Sequence, residues 1–438
     1  MSYSRFYNKM PDGTIKQLNP FTGTEVWTVP GRGNRPNIFN NQTKAEPVEL
    51  HHPEDYCSFC ESRYFETPPE ISRLVCEDNK YKKINGLKTE DYFNTTAEFR
   101  RVPNLFEIVT LDYWKNNYSY KLNSEQEQRK NDYISTPKGK EHINKIINYK
   151  LKLTGVSEDV LNNMPFEEKT NLADAFFGGT HQLIIAKHHY KHEAKYSNEL
   201  MSSGELTPEE HFQYIKYTIE TKEYIYRNNR YVRYISVFQN WLKPAGASFD
   251  HLHKQLVALD EWGNTISEQA EMARKDPNVF NTYGANFAGM LNFIIAENDY
   301  AIAWAGIGHR YPAIEIFSKS HNSRPSLHSD EEIKGMSDLV HAIHAATGSE
   351  ISCNEEWYYS PIDSIYKMPW HILIKWRLNI PAGFEGGTRI YINPISPIAM
   401  RDTLVPKLYQ LRDEKKISSI RIAEECKIVP NPLRYYVS

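Results

Sequence analysis

One order of elements occurs twice along this chain, and it restricts the fold more than any other feature. In the first half a buried strand, Gln182-Leu-Ile-Ile-Ala186, precedes a long helix starting at Thr207, and strands follow at 231–238 and 251–259. In the second half the strand Ala313-Ile-Glu-Ile-Phe-Ser318 precedes an amphipathic helix running from Ser329 to Gly348, with strands at 355–359 and 370–376. Thr207-Pro-Glu-Glu210 supplies an N-cap, a proline at the first helical position and the Glu of a capping box. This recurrence predicts an α+β class, antiparallel sheet with helices packed on one face, duplicated into halves at 1–265 and 266–438. Residues 115–175 are rich in Lys, Asn and Tyr and helical in pattern, with Thr136-Pro137 starting one helix and Gly155 ending it. They read as an insertion on the surface of the first half.

Composition closes off several classes of function. Of 438 residues 40% are hydrophobic, enough for one large core or two fused ones, and 55 acidic side chains nearly balance 52 basic ones. No global basic field points to nucleic acid. No run of about 18 apolar residues predicts a membrane span, and the N-terminal Met-Ser-Tyr-Ser-Arg lacks the apolar centre of a signal peptide. Five cysteines, an odd number in a large chain, fit a reducing cytoplasm, where the close pair Cys57-Ser-Phe-Cys60 means metal or redox chemistry.

The chemistry centres on Gly246-Ala-Ser-Phe-Asp-His-Leu-His-Lys-Gln255. Read as a strand, it presents His251, His253 and Gln255 on one face and Leu252 and Leu256 on the other. A neutral imidazole is a competent nucleophile toward phosphorus, and a side-chain amide can donate to a phosphoryl oxygen as charge moves there. Gly246 and Ser248 would let the backbone approach a phosphate and offer a hydroxyl.

This segment resembles the active-site motif of the galactose-1-phosphate uridylyltransferases of the histidine-triad superfamily. Further segments resemble that family in its own order: Arg32-Gly-Asn-Arg-Pro36, Cys57-Ser-Phe-Cys60, Pro103-Asn104-Leu-Phe106 and Phe238-Gln-Asn240. Pro381-Ala-Gly-Phe-Glu385, followed by Gly387-Thr388 and Tyr391-Ile-Asn-Pro394, resembles its C-terminal Ala-Gly-Phe-Glu segment. Leu252 stands where the family has Pro, and Pro369-Trp370-His371 has lost one histidine of a second metal site that some members carry.

The resemblance implies a duplicated histidine-triad-like fold and a covalent mechanism. His253 would attack a nucleoside diphosphate sugar, with Gln255 holding the transferred phosphoryl group. Arg32, Arg35, Asn104, Asn240, Ser248, Phe384 and Glu385 would contact substrate. It implies a structural zinc on Cys57, Cys60, His251 and a histidine of Lys187-His-His-Tyr-Lys-His192, with His189 in register and His188 and His192 as alternatives. The implied reaction transfers UMP to a sugar 1-phosphate. A phosphorylase of nucleoside diphosphate sugars or dinucleoside polyphosphates would use the same residues, and a non-catalytic nucleotide sensor or scaffold is the reading from another class. The family also implies a homodimer, in which a glycine-rich loop at 383–388, bearing an exposed Phe384 beside Glu385, completes the partner's site.

Overall fold

The computed structural model describes residues 3–32, 45–50 and 52–436. Six strands of the first half are β4 (Ser72–Glu77), β5 (Lys80–Asn85), β6 (Phe99–Pro103), β7 (His181–Ala186), β8 (Tyr234–Trp241) and β9 (His253–Leu259). In the second half lie β10 (Ile294–Glu297), β11 (Ala301–Ala305), β12 (Ala313–Ser318), β13 (Cys353–Tyr358), β14 (His371–Trp376) and β16 (Arg421–Ile422). All twelve join one antiparallel sheet in the order β16-β10-β11-β12-β14-β13-β8-β9-β7-β6-β4-β5. The seam between halves is the β8–β13 pair, in register at Asn240 with Asn354 and Phe238 with Glu356. A smaller sheet joins β1 (Tyr7–Lys9), β2 (Ile15–Leu18) and β3 (Glu25–Thr28) to β15 (Ile390–Ile392), which runs parallel to β3.

Local signals account for the two long helices. Thr207 and Ser329 each cap their helix, Pro208–Asn228 and Asp330–Thr347, through reciprocal bonds with Glu210 and Glu332. Gly348 closes the second helix at φ 91°, a conformation that glycine adopts without the Cβ clash other residues meet. Both helices cover one face of the sheet. Beneath them the fully buried Lys254 donates to Glu355 at 2.6 Å and Gln239 at 3.1 Å, while His344 from the second helix meets Glu355 at 2.8 Å.

The opposite face carries His253, Gln255, Phe238 and Asn240. Residues paired across neighbouring strands share a face, and Phe238 pairs with Gln255 on one side and Glu356 on the other. The segment 115–175 is helical, its longest element being Pro137–Leu153. Around it Tyr92, Tyr133, Ile143, Ile146 and Phe176 form a separate apolar cluster. Among the described residues no helix is long and apolar enough to cross a membrane.

Three strand starts differ from the sequence pattern by two residues or more, β13 beginning at Cys353 rather than 355. β8 starts at Tyr234 rather than 231, because Asn229 turns the chain by accepting from the backbone of Tyr231 and Val232. β9 starts at His253 rather than 251, because the backbone carbonyl of His251 is taken by the ring of His253. The segment expected as a glycine-rich loop is a short helix, Gly383–Thr388. It forms because the carboxylate of Glu385 accepts the Ala382 N–H at 2.9 Å and fixes the first turn.

Candidate active site

Between β8 and β9 the chain reverses through Leu242 and Gly246, both at positive φ, Gly246 at 88°. That turn delivers His253 to the start of β9, 4% exposed. Its Nδ1 lies 2.8 Å from the His251 carbonyl, and a carbonyl only accepts, so Nδ1 carries the proton. Nε2 is therefore left with its lone pair. Burial lowers the pKa of His253 to about 4, which keeps the ring neutral.

Gln255, two residues on and half-buried, meets a residue that the sequence reading passed over. His181, at the start of β7, lies with Nε2 3.1 Å from Gln255 Oε1. Its Nδ1 accepts the Ile108 N–H at 3.1 Å, so Nε2 holds the proton and donates to Gln255. Asn104 packs against the same ring, its Nδ2 3.0 Å from His181 Nε2 with no hydrogen bond between these two donors, and its side-chain oxygen accepts the Phe106 N–H. The available signal was a histidine ahead of Gln182 and the apolar run, on the face of Leu183 and Ile185 that pairs with Gln255 and His253.

Asn240 occupies the end of β8. Its Oδ1 accepts from Asn354 Nδ2 at 2.7 Å, and Asn354 in turn accepts from Arg377 at 2.9 Å. A Cβ placed on Gly246 would lie 3.9 Å from Asn240 Nδ2, so this donor faces the turn before Ser248. Two second-half residues thus orient a first-half amide. Ser248 is exposed on that loop, and Arg32 is exposed at the edge of the described segment. Arg35 lies outside the described residues. Phe384 is 48% exposed and Glu385 is buried on its own helix.

Beside His253 four side chains converge. Cys57, Cys60, His189 and His251 are all buried, and their ligand atoms lie within 4.8 Å of one another. The Sγ atoms of Cys57 and Cys60 are each 3.7 Å from His251 Nδ1, and Cys60 Sγ is 3.7 Å from His189 Nδ1. Thiolate and imidazole donors on tetrahedral zinc stand roughly 3.5 Å apart, so this donor set fits such an ion. His251 Nε2 meets the Ala186 carbonyl at 2.7 Å, the outer contact that orients a metal-binding imidazole through its other nitrogen. A hydrogen bond to Cys60, with the two imidazoles beside it, holds the Cys57 thiol well below its usual range. His188 and His192 instead face each other, ring centres 4.9 Å apart, and neither belongs to the cluster.

A family model described as "Domain of unknown function (DUF4921)" matches residues 10–435. The chain belongs to this family. ADP-glucose phosphorylase of Arabidopsis thaliana is 29% identical over 179 residues, 38% of this chain and 50% of that relative, so the match spans half the relative's length. The crystal structure of an ADP-glucose phosphorylase from Arabidopsis thaliana with bound ADP-glucose superposes with a TM-score of 0.56 at 19% identity, over 90% of this chain and 98% of that one. A galactose-1-phosphate uridylyltransferase-like protein from Arabidopsis thaliana gives 0.52 at 19% identity, over 80% and 91%. The fold of this DUF4921 chain is that of the uridylyltransferase-like, histidine-triad superfamily.

Proposed function

We propose that this protein transfers a nucleoside monophosphate from a nucleoside diphosphate sugar to a phosphate-bearing acceptor, through a covalent nucleotidyl-His253. The supporting observation is the tautomer of His253: Nδ1–H is committed to the His251 carbonyl, and Nε2 keeps its lone pair, on a residue that shares its strand face with Gln255. Nε2 attacks the α-phosphorus, the bond from that phosphorus to the bridging oxygen breaks, and sugar 1-phosphate leaves as a stable anion. No general acid is needed for such a leaving group. An acceptor phosphate oxygen then attacks the same phosphorus and the P–N bond breaks.

The acceptor separates two reactions. A sugar 1-phosphate yields a new nucleotide sugar, the reaction implied by the uridylyltransferase motifs, with UMP as the group transferred. Inorganic phosphate yields a nucleoside diphosphate, and the 29% identity to ADP-glucose phosphorylase favours this arm. Incubation with ADP-glucose and UDP-glucose, read by intact mass, tests the reading: an added nucleoside monophosphate that disappears in His253→Ala supports it, and no adduct with either sinks it. Offering phosphate or glucose 1-phosphate to the adduct then identifies the acceptor.

Cys57, Cys60, His189 and His251 would hold a zinc ion in a reducing compartment, tying the loop ahead of β9 to the Cys turn. Under the same reading two chains pair, with the exposed Phe384 at the contact. A monomer by light scattering at working concentration would remove that element.

A further inference from the structure

The segment after β7 carries His188, His189 and His192, and the cluster beside His253 uses only His189. Backbone bonds hold this segment in place. The His189 carbonyl accepts the Met201 N–H at 2.9 Å, Lys191 N–H donates to the Glu199 carbonyl at 3.1 Å, and Tyr190 pairs antiparallel with Leu200. His192 sits in a turn closed by the Ala194 N–H on the Lys191 carbonyl at 3.2 Å, with Glu193 at φ 58°. His189 turns inward to Cys60. His188 is half-buried and His192 exposed, and their ring centres stand 4.9 Å apart with the planes at 66°.

That separation suits two rings on one ion. A zinc–nitrogen bond of about 2.0–2.1 Å puts the metal roughly 3.2 Å from a ring centre, so two imidazoles at roughly 90–110° around it stand about 4.5–5.2 Å apart. The molecule supplies its own comparison: His189 and His251, whose nitrogens converge with the two cysteines, have ring centres 5.2 Å apart. No ring nitrogen of His188 or His192 hydrogen-bonds a protein group among the described residues, so each ring has a lone pair to give. Lys187 and Glu98 pair at 3.0 Å and largely cancel, which leaves the carboxylate of Glu210 to favour positive charge at the His188 ring. Among the described residues no third ligand closes around the pair, so water would fill the remaining positions of an ion held there. Imidazole donors suit zinc, nickel and copper, whereas calcium and magnesium take oxygen.

We propose that His188 and His192 form a second metal site, a two-imidazole seat for an exchangeable zinc-type cation, separate from the cluster of Cys57, Cys60, His189 and His251. The test dialyses the chain as purified against zinc and counts the metal bound. The natural chain should take up one equivalent more than His192→Ala or His188→Gln. Each variant keeps a single imidazole of the pair, so its affinity for that equivalent should fall by roughly tenfold or more. His192 is exposed, so His192→Ala carries the test should His188→Gln, one residue from His189, fail to fold. Cys57→Ser should still take up the added equivalent, because Cys57 belongs to the other cluster, and excess magnesium should leave it bound. Equal uptake by the natural chain and His192→Ala overturns the proposal. So does loss of the added equivalent in Cys57→Ser, or its displacement by magnesium.

Discussion

His181 stands between a backbone amide and the amide of Gln255. Ile108 N–H donates to its Nδ1 at 3.1 Å, and its own Nε2–H donates to Gln255 Oε1 at 3.1 Å. Burial lowers the His181 pKa to about 4, so the ring stays neutral and the tautomer is fixed by Ile108. With its oxygen held by His181, Gln255 has an NH₂ group with no acceptor among the described residues, able to donate to a phosphoryl oxygen. Under the proposed function His181 is a positioning residue, acting through Gln255.

A double-mutant cycle should expose that dependence. His181→Ala is expected to slow nucleotidyl transfer by about tenfold or more, within the range for loss of one preorganised donor. The double variant His181→Ala/Gln255→Ala should be no slower than Gln255→Ala alone, and His181→Gln should restore part of the rate. Additive losses would mean that His181 acts elsewhere or only supports the fold.

Beneath the same strand, Lys254 and Glu355 form an ion pair with both side chains fully buried. It links the strand of His253, the proposed nucleophile, to the second half. Removing one partner leaves the other charged in an apolar setting, which costs about 3–5 kcal/mol. Lys254→Met should therefore lower stability by that amount in urea unfolding. Lys254→Met/Glu355→Gln should recover part of it, since the stranded charge is gone. Full additivity of the two losses would show that the pair is not coupled.

The parts of the fold written in local chemistry were legible. Thr207, Ser329 and Thr136 cap helices because side chain and backbone partner lie three residues apart. The centres of β7, β9, β12 and β14 follow from their apolar runs. What could not be read depends on distant pairing. Asn354 meets Asn240 across 114 positions of chain, and nothing around residue 354 signals that contact. Glu356 reads as one polar residue of a strand until the β8–β13 register sets it beside Phe238. The Gly383–Thr388 helix was missed because its three glycines argue against helix, while the one cap that stabilises it comes from Glu385. Of the histidines after β7, only the exit path of the strand decides that His189 reaches the cysteines.

The helical segment carries a pH-dependent element. His142 Nδ1 lies 2.5 Å from the Tyr133 hydroxyl, which donates to it, and Nε2–H donates to the Thr67 carbonyl at 3.0 Å. Burial lowers its pKa to about 4, against about 6.5 in an unfolded chain. Between those values the unfolded chain binds a proton that the folded chain refuses, so this residue's contribution is fully favourable above pH 6.5 and is lost as pH falls toward 4. The melting temperature should drop between pH 7 and pH 5. His142→Gln should melt lower at pH 7 yet lose less on acidification, by up to one proton's worth, about 1.4 kcal/mol per pH unit. An unchanged slope would assign the effect to other buried histidines.

The last prediction joins the candidate zinc ligands to the proposed nucleophile, His253. His251 contributes its ring to the cluster and its backbone carbonyl to His253 Nδ1, so whatever fixes His251 also fixes the tautomer of His253. Protein prepared without chelator should carry about one zinc per chain. Cys57→Ser should lose zinc and lower the melting temperature. It should also slow nucleotidylation of His253, although Cys57 has no place in the phosphoryl chemistry. Stripping the metal from the natural chain with a chelator should reproduce the loss, and adding zinc back should reverse it. A Cys57→Ser chain that keeps its metal would falsify the ligand assignment. A chain that loses zinc but adds nucleotide to His253 at the natural rate would show instead that the hydrogen bond between His251 and His253 holds without the ion.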